Sequence, residues 1–507
     1  MKNNNIYACL EIGSFEIKLL VCNFREDRMY VLSEKCIPSI GFDRGQITNF
    51  EKLVKQIKKV KELIQNDLKQ SLNQIVLTVP PIDTFVEPAI AKINLDVKHP
   101  IGEKDIRRLF RQVAQLPYVE THLPVNMIPR VFRIDENHLV QNPCGISGMS
   151  LALEAIRVFA PITIVSNIVH AVEVAGFKIA DITTGSIPES LSVLNSPEMF
   201  ARTCHINIGH SLTTITVIND GKIIHANALS IGGRDITRAI VDEFGISTEI
   251  ANQLKIDFGR ANDSIEAVST EKVIYIDEEE TKFITRGMLN ATITSQCDRI
   301  FRIIKSYIAE TIRIKEEEYH FSLAGGSAEL PNIMFVLREN LLSMDSSLYR
   351  PSMLGIRNAK YSQLVGVAIF AHELALLVGS KNYSIKFNPL PLVLQKTSKP
   401  VESKSSKNEI AKPPEEDPRD DAKNQQSSSE EKTELLNNLD QNEILLFKER
   451  MAEIASEPEE KIGLFDENAK TLLGSHYTDD YLNEKLENSG MFVRFFDRFF
   501  NENDVDN

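Results

Sequence analysis

Two runs about 200 residues apart share one layout: a strand, a turn built on glycine, and a continuing strand. The first is Leu10-Glu11-Ile12-Gly13-Ser14, continuing through Ile17–Phe24; the second is Asn207-Ile208-Gly209-His210-Ser211-Leu212-Thr213-Thr214. A turn of glycine and a small hydroxyl residue lets backbone N–H groups approach a phosphate, and a nearby carboxylate holds a metal-bound water. Lys18 adds a positive charge beside the first turn. Taken singly, each run also reads as a plain β-turn. A third run, Leu323-Ala324-Gly325-Gly326-Ser327-Ala328, precedes a helix expected near Pro331, and a Gly232-Gly233 turn lies between the second and third. Paired glycines allow close backbone approach to a flat ligand such as an adenine-ribose unit. The order of the three runs constrains the fold more than any one of them.

Strand-like runs (YACLEIG, IKLLVCNF, QIVLTVP, CHINIG, TTITVIND) alternate with helix-like ones at Phe50–Lys69, Ile162–Ala175 and Arg286–Glu318. Such alternation predicts an α/β protein with helix-covered sheets. Gly176 falls just past the second helix, where a C-terminal cap belongs. No run approaches the ~20 apolar residues of a spanning helix, and no signal-peptide core follows Met1–Tyr7. The six cysteines (Cys9, Cys22, Cys36, Cys144, Cys204, Cys297) form no CxxC pair. They read as reduced, buried thiols of a cytosolic protein. His205, His210 and His225 have no His, Cys or Asp partner at ligand spacing and read as ordinary strand and loop residues.

Charge divides the chain. From Val401 onward there are 13 Lys/Arg against 27 Asp/Glu, which is the whole net charge of −14, so residues 1–400 balance at 44 against 44. The globular part therefore offers no basic footprint for nucleic acid. From Lys396 the sequence turns to Pro, Ser, Gln and charge, which cannot bury enough apolar surface to fold. It reads as a disordered acidic tether interrupted by two apolar islands, Leu435–Leu446 and Ile462–Leu473. The last segment differs. At ~100° per residue, Met491, Phe492, Phe495, Phe496, Phe499 and Phe500 share one side, and Arg494 and Arg498 share the other. That pattern predicts an interfacial, membrane-targeting amphipathic helix bound mainly by apolar contact.

The three glycine runs in this order resemble the actin-like superfamily of ATP-binding proteins. Further stretches are similar to the FtsA family within it: Met127-Ile128-Pro129, Asn142-Pro143-Cys144-Gly145-Ile146-Ser147-Gly148, Val169–Lys178 and Ser190–Leu194. The resemblance implies a two-lobed actin-like ATPase fold with an inserted α+β (SHS2-type) subdomain. The implied boundaries are lobe I over 1–78 and 160–200, the insert over 79–159, and lobe II over 201–378 with a return to lobe I near its end. A disordered acidic linker over 379–488 and the amphipathic helix over 489–507 complete it.

By the same resemblance, Glu11, Gly13, Ser14 and Lys18 form the first phosphate loop; Asn207, Gly209, Ser211, Thr213 and Thr214 form the second. Gly325, Gly326 and Ser327 form the adenosine loop, and Lys255 reaches the ribose. The implied cofactors are ATP and magnesium, with Glu11 and Asn207 holding the metal through water. Asn207 stands where the superfamily has an aspartate; an amide neither ionises as a base nor offsets metal charge. Glu11 is then the one carboxylate the sequence places at the site, so ATP binding is expected and efficient hydrolysis is not. The family further implies an adaptor that tethers FtsZ to the inner face of the cytoplasmic membrane at the division site. Other division proteins, self-association into filaments and membrane lipids are the remaining implied partners. The alternatives are a pilus-assembly scaffold of the PilM type and a phosphotransferase or phosphohydrolase of the superfamily.

Overall fold

The computed structural model describes residues 6–378 except 26–27, 120, 136–137, 195–201, 262–270, 278–279 and 342–344. The expected acidic linker and terminal amphipathic helix, with Met491, the phenylalanines, Arg494 and Arg498, lie outside the described residues.

The chain opens with an antiparallel meander of β1 (Ile6–Ile12), β2 (Glu16–Arg25) and β3 (Arg28–Pro38). β1 is apolar along almost its whole length because the sheet is covered on both faces. A small hairpin, β4 (Phe42–Asp43) and β5 (Gln46–Ile47), leads into α1 (Phe50–Leu68). The Asn49 side chain caps α1 by accepting from Lys52 N–H, and Leu53, Val54, Ile57, Val60 and Ile64 form its one buried stripe. β6 (Gln74–Val79) then runs parallel to β1.

A separate sheet follows, made of β7 (Phe85–Pro100), β8 (His122–Ile134), β9 (His138–Val140) and β10 (Ser147–Pro161) in the order β7-β10-β8-β9. Helix α2 (Glu103–Gln115) covers it with Ile106, Leu109, Phe110 and Val113. This is the inserted α+β unit that the sequence predicts. The chain returns through α3 (Ile162–Val174), β11 (Lys178–Thr184) beside β6, and α4 (Ser186–Ser192). Gly176 ends α3 at φ +89°, which favours a residue without Cβ.

The second half repeats the first. β12 (Arg202–Ile208), β13 (Thr213–Asn219) and β14 (Lys222–Leu229) form an antiparallel meander. After α5 (Gly233–Phe244), α6 (Thr248–Phe258), the ribbon β15 (Lys272–Asp277)–β16 (Glu280–Thr285) and α7 (Arg286–Tyr307), strand β17 (His320–Ala324) lies parallel to β12. Helix α8 (Ile333–Leu341) and β18 (Ser346–Leu348) follow. The sheets are ordered β11-β6-β1-β2-β3 and β14-β13-β12-β17-β18. Each is a three-strand meander extended by two parallel strands beside its first strand. Helix α9 (Ser362–Val378) crosses back to pack on β1, β6 and α4.

Three expectations are corrected. The helical run at Arg286–Glu318 stops being α-helical at Tyr307: a wider π-type turn, Ile308–Ile312, ends where the N–H of Arg313 (φ 61°) donates to the Ile308 carbonyl. Ala359–Val378 is long and apolar enough to cross a membrane, contrary to the reading that no run qualifies, yet 78% of its apolar window is buried inside the protein. It serves as a core helix. Of the six thiols, Cys9, Cys22, Cys204 and Cys297 are buried, but Cys36 is half-buried and Cys144 exposed.

Candidate functional site

The two glycine hairpins close in the same way. Gly13 N–H donates to Glu16 O at 3.0 Å, and Gly209 N–H donates to Leu212 O at 2.9 Å. Glu11 sits across the strand pair from Lys18, and Asn207 sits across from Thr214, at matching distances from the turns. Both hairpins open onto one cleft of about 390 Å³, within the size range of small-molecule sites. Glu11, Gly13, Ser14, Lys18, Asn207, Gly209, Ser211, Thr214, Lys255, Gly325, Gly326 and Ser327 all line it.

Thr213 does not. Neighbouring residues of a strand point to opposite faces, so Thr213 and Thr214 cannot both face the cleft. The Thr213 hydroxyl donates to the Ile231 carbonyl at 2.8 Å instead, tying the strand to the turn before α5.

The glycine loops pack tightly. Gly325 has φ +94°, and a Cβ there would lie 2.4 Å from Asn207 Oδ1 and 2.6 Å from the Ile208 carbonyl. A Cβ on Gly233 would meet Ser327 Oγ at 2.1 Å. Ser327 Oγ donates to the Gly209 carbonyl at 2.9 Å, so the third loop is fastened to the second. Lys255, near the end of α6, donates from Nζ to the Gly233 carbonyl (3.0 Å) and to Thr237 Oγ1 (2.7 Å). Burial lowers its pKa to about 8, against a smaller raising effect from Cys297.

Glu11 and Lys18 form a buried ion pair at 2.6 Å, and Lys18 Nζ also donates to the Lys360 carbonyl at 2.7 Å. Burial raises the Glu11 carboxyl above the usual carboxylate range, and Lys18 opposes the shift. Its second oxygen, Oε2, is buried without a hydrogen-bond partner, as is Thr214 Oγ1. A buried acceptor left unpaired beside a polar cleft is open to a water or to a ligand group. These features suit a phosphate ligand with a hydrated cation.

Several residues here were not legible as site residues. The fully buried Glu189 of α4 lies behind Asn207, so Glu11 is not the only carboxylate near the second hairpin. Asn207 Nδ2 donates to both Glu189 oxygens, at 2.7 and 2.9 Å. Asp43 of β4 accepts from Ser211 Oγ at 2.9 Å and pairs with Arg234 at 2.7 Å, bridging the β4–β5 hairpin to the second loop and α5. Burial pushes Asp43 upward, but hydrogen bonds from Arg234 and Ser211 outweigh it and leave its pKa below the ordinary value. The His210 ring lies 4.9 Å from the Phe15 ring across the cleft. Burial, then Lys255 and Arg234, lowers its pKa to about 4, so the ring is neutral near pH 7. Among the described residues no cluster of His, Cys, Asp and Glu has metal-holding geometry.

Two sheets of identical strand order, each presenting a glycine hairpin to a shared cleft, define an actin-like two-lobed protein with an inserted α+β unit. The family model described as cell division protein FtsA matches residues 204–366, and that of the SHS2 domain inserted in FtsA matches residues 85–159, the span of β7 to β10. The cell division protein FtsA of Bacillus subtilis (strain 168) is 26% identical over 389 residues, 75% of this chain and 87% of that protein. FtsA of Streptococcus pneumoniae serotype 2 is 24% identical over 376 residues, 74% of this chain and 82% of that protein. Among solved structures, the PilM-PilN type IV pilus biogenesis complex aligns over 72% of this chain and 98% of its own, with 14% identity and a TM-score of 0.48. In both its two-lobed body and its inserted unit, the chain is similar to the FtsA cell division proteins.

Proposed function

We propose that this protein is a division adaptor whose cleft binds ATP with magnesium and whose C-terminal segment attaches FtsZ filaments to the inner face of the cytoplasmic membrane. The observation that carries the nucleotide reading is the pair of matched hairpins opening onto one cleft, beside the unpaired, buried Glu11 Oε2. The Gly13 and Gly209 turns take the phosphates, while Gly325 and Gly326 let the backbone come close to the adenosine. Lys255 stands at the ribose side and Lys18 at the phosphates. Glu11 and Asn207 hold water around the cation, which when bound offsets phosphate charge. Glu189 is enclosed by Asn207 and Ser362 and is fully buried, so it is not placed to activate a water. This supports binding with slow hydrolysis. Occupancy then favours one arrangement of the lobes, and with it self-association into filaments, by binding one state more tightly than another.

The membrane reading rests on the one-sided aromatic face of Met491–Phe500. A buried phenylalanine contributes about 1.5–3 kcal/mol, so several half-immersed rings outweigh the ordering of one short helix. The family supports FtsZ and other division proteins as partners. The test is liposome co-sedimentation of the full chain against a version ending at Ser489, with ATP and magnesium, followed by FtsZ recruitment. The full chain should pellet and carry FtsZ down while the truncation stays soluble. If both remain in solution, the adaptor reading is wrong.

A further inference from the structure

We infer that Glu189 is a positioning residue of the cleft: it fixes the Asn207 amide and supplies, from behind it, the negative charge that residue 207 itself lacks. This rests on the reading of the cleft as a magnesium–nucleotide site.

Asn207 is the last residue but one of β12, just before the Gly209 turn, and lines the cleft. An ionised carboxylate only accepts hydrogen bonds, so the side of Asn207 facing Glu189 must be its NH₂. Both Glu189 oxygens receive that group, at 2.7 and 2.9 Å. The amide oxygen is thereby turned to the other side, where the Gly325 backbone approaches so closely that a Cβ would lie 2.4 Å from Oδ1. Oδ1 is thus held in one direction at the junction of the second and third loops.

Glu189 is itself held. Ser362 Oγ, at the start of α9, donates to it, and His205 Nε2 lies 3.4 Å away. α9 reaches α4 this closely because residue 366 is glycine; a Cβ there would lie 2.6 Å from the Glu189 backbone nitrogen and Cα. Glu189, His205 and Ser362 are all 0% exposed. A buried charge in this setting is costly unless it is used or fully paired. The Glu189–Asn207 pair divides between two residues what one carboxylate would do: Asn207 Oδ1 meets the hydrated cation, and Glu189 polarises the amide and provides the charge. Partners of ligating groups typically change metal affinity by about 10- to 100-fold when removed.

The test uses the full-length protein and ADP by calorimetry, with magnesium or with EDTA, alongside melting curves without nucleotide. E189Q keeps the shape and one acceptor but removes the charge. It should weaken ADP–magnesium binding by about tenfold or more while leaving ADP binding in EDTA within about twofold. N207D places a second carboxylate against Glu189 and should lower the melting temperature; adding E189Q, whose amide can donate to the new carboxylate, should restore both stability and magnesium-dependent binding. Equal losses with and without magnesium in E189Q would show a purely structural role and overturn the inference. So would an N207D protein that is as stable alone as with E189Q. If the wild-type protein binds no ADP under either condition, the nucleotide reading of the cleft falls with it. If it binds and E189Q leaves its magnesium dependence unchanged, only the role of Glu189 falls.

Discussion

Replacing Lys18 with methionine removes the one cation that pairs with Glu11 among the described residues. Lys18 is 8% exposed, and its Nζ lies 2.6 Å from Glu11 Oε1 and 2.7 Å from the Lys360 carbonyl. At that separation and an effective dielectric constant of about 20, the attraction is about 6 kcal/mol. Desolvation of the two ions offsets most of it, so the pair contributes little net stability as a unit. Breaking it is another matter. Glu11 Oε2 already has no partner, so K18M leaves a buried carboxylate with neither oxygen paired and the Lys360 carbonyl without its donor. The expected loss is about 3–5 kcal/mol. Adding E11Q removes the orphaned charge and should return all but about 1–2 kcal/mol. The chain has no tryptophan, so urea unfolding is best followed by far-ultraviolet circular dichroism, in EDTA without nucleotide. A K18M protein within about 1 kcal/mol of wild type, or a double variant no more stable than the single, would refute a buried pair at the base of the first hairpin.

Lys255 titrates near 8 in the folded protein, against about 10.5 for an unfolded lysine. The unfolded chain therefore binds more protons between these values, so stability gains with rising pH over that window. Relative to K255M, the wild-type protein should gain about 3 kcal/mol from below pH 8 to above pH 10.5, as denaturant midpoints at several pH values would show. G366V forces a side chain against the Glu189 backbone and should cost about 1–3 kcal/mol by overpacking, read by melting temperature. Unchanged melting would mean that α9 does not lie against α4.

The glycine hairpins were legible in sequence because their chemistry is local: the turn, its glycine and the flanking strands fall within one short run. Thr213 was misassigned for a physical reason, since adjacent strand residues face opposite sides and only Thr214 reaches the cleft. Tertiary packing hid the rest. Glu189 reaches Asn207 across 18 residues and Ser362 across 173, and Asp43 meets Arg234 across 191. No local pattern signals such meetings. The end of α7 was hidden differently, because apolar spacing continues through Ile308, Ile312 and Ile314 while the backbone opens into a π-type turn. The inserted unit was legible only through a family resemblance, carried by Met127-Ile128-Pro129 and the NPCGISG segment that leads into β10.

The most direct test of the account is a crystal structure of residues 1–378 or the full chain with a non-hydrolysable ATP analogue and magnesium. The account predicts phosphates between the Gly13 and Gly209 turns, the adenosine against Gly325-Gly326, and a hydrated cation facing Glu11 Oε2 and Asn207 Oδ1. Nucleotide bound elsewhere, or a cleft that stays empty at saturating analogue, would contradict it.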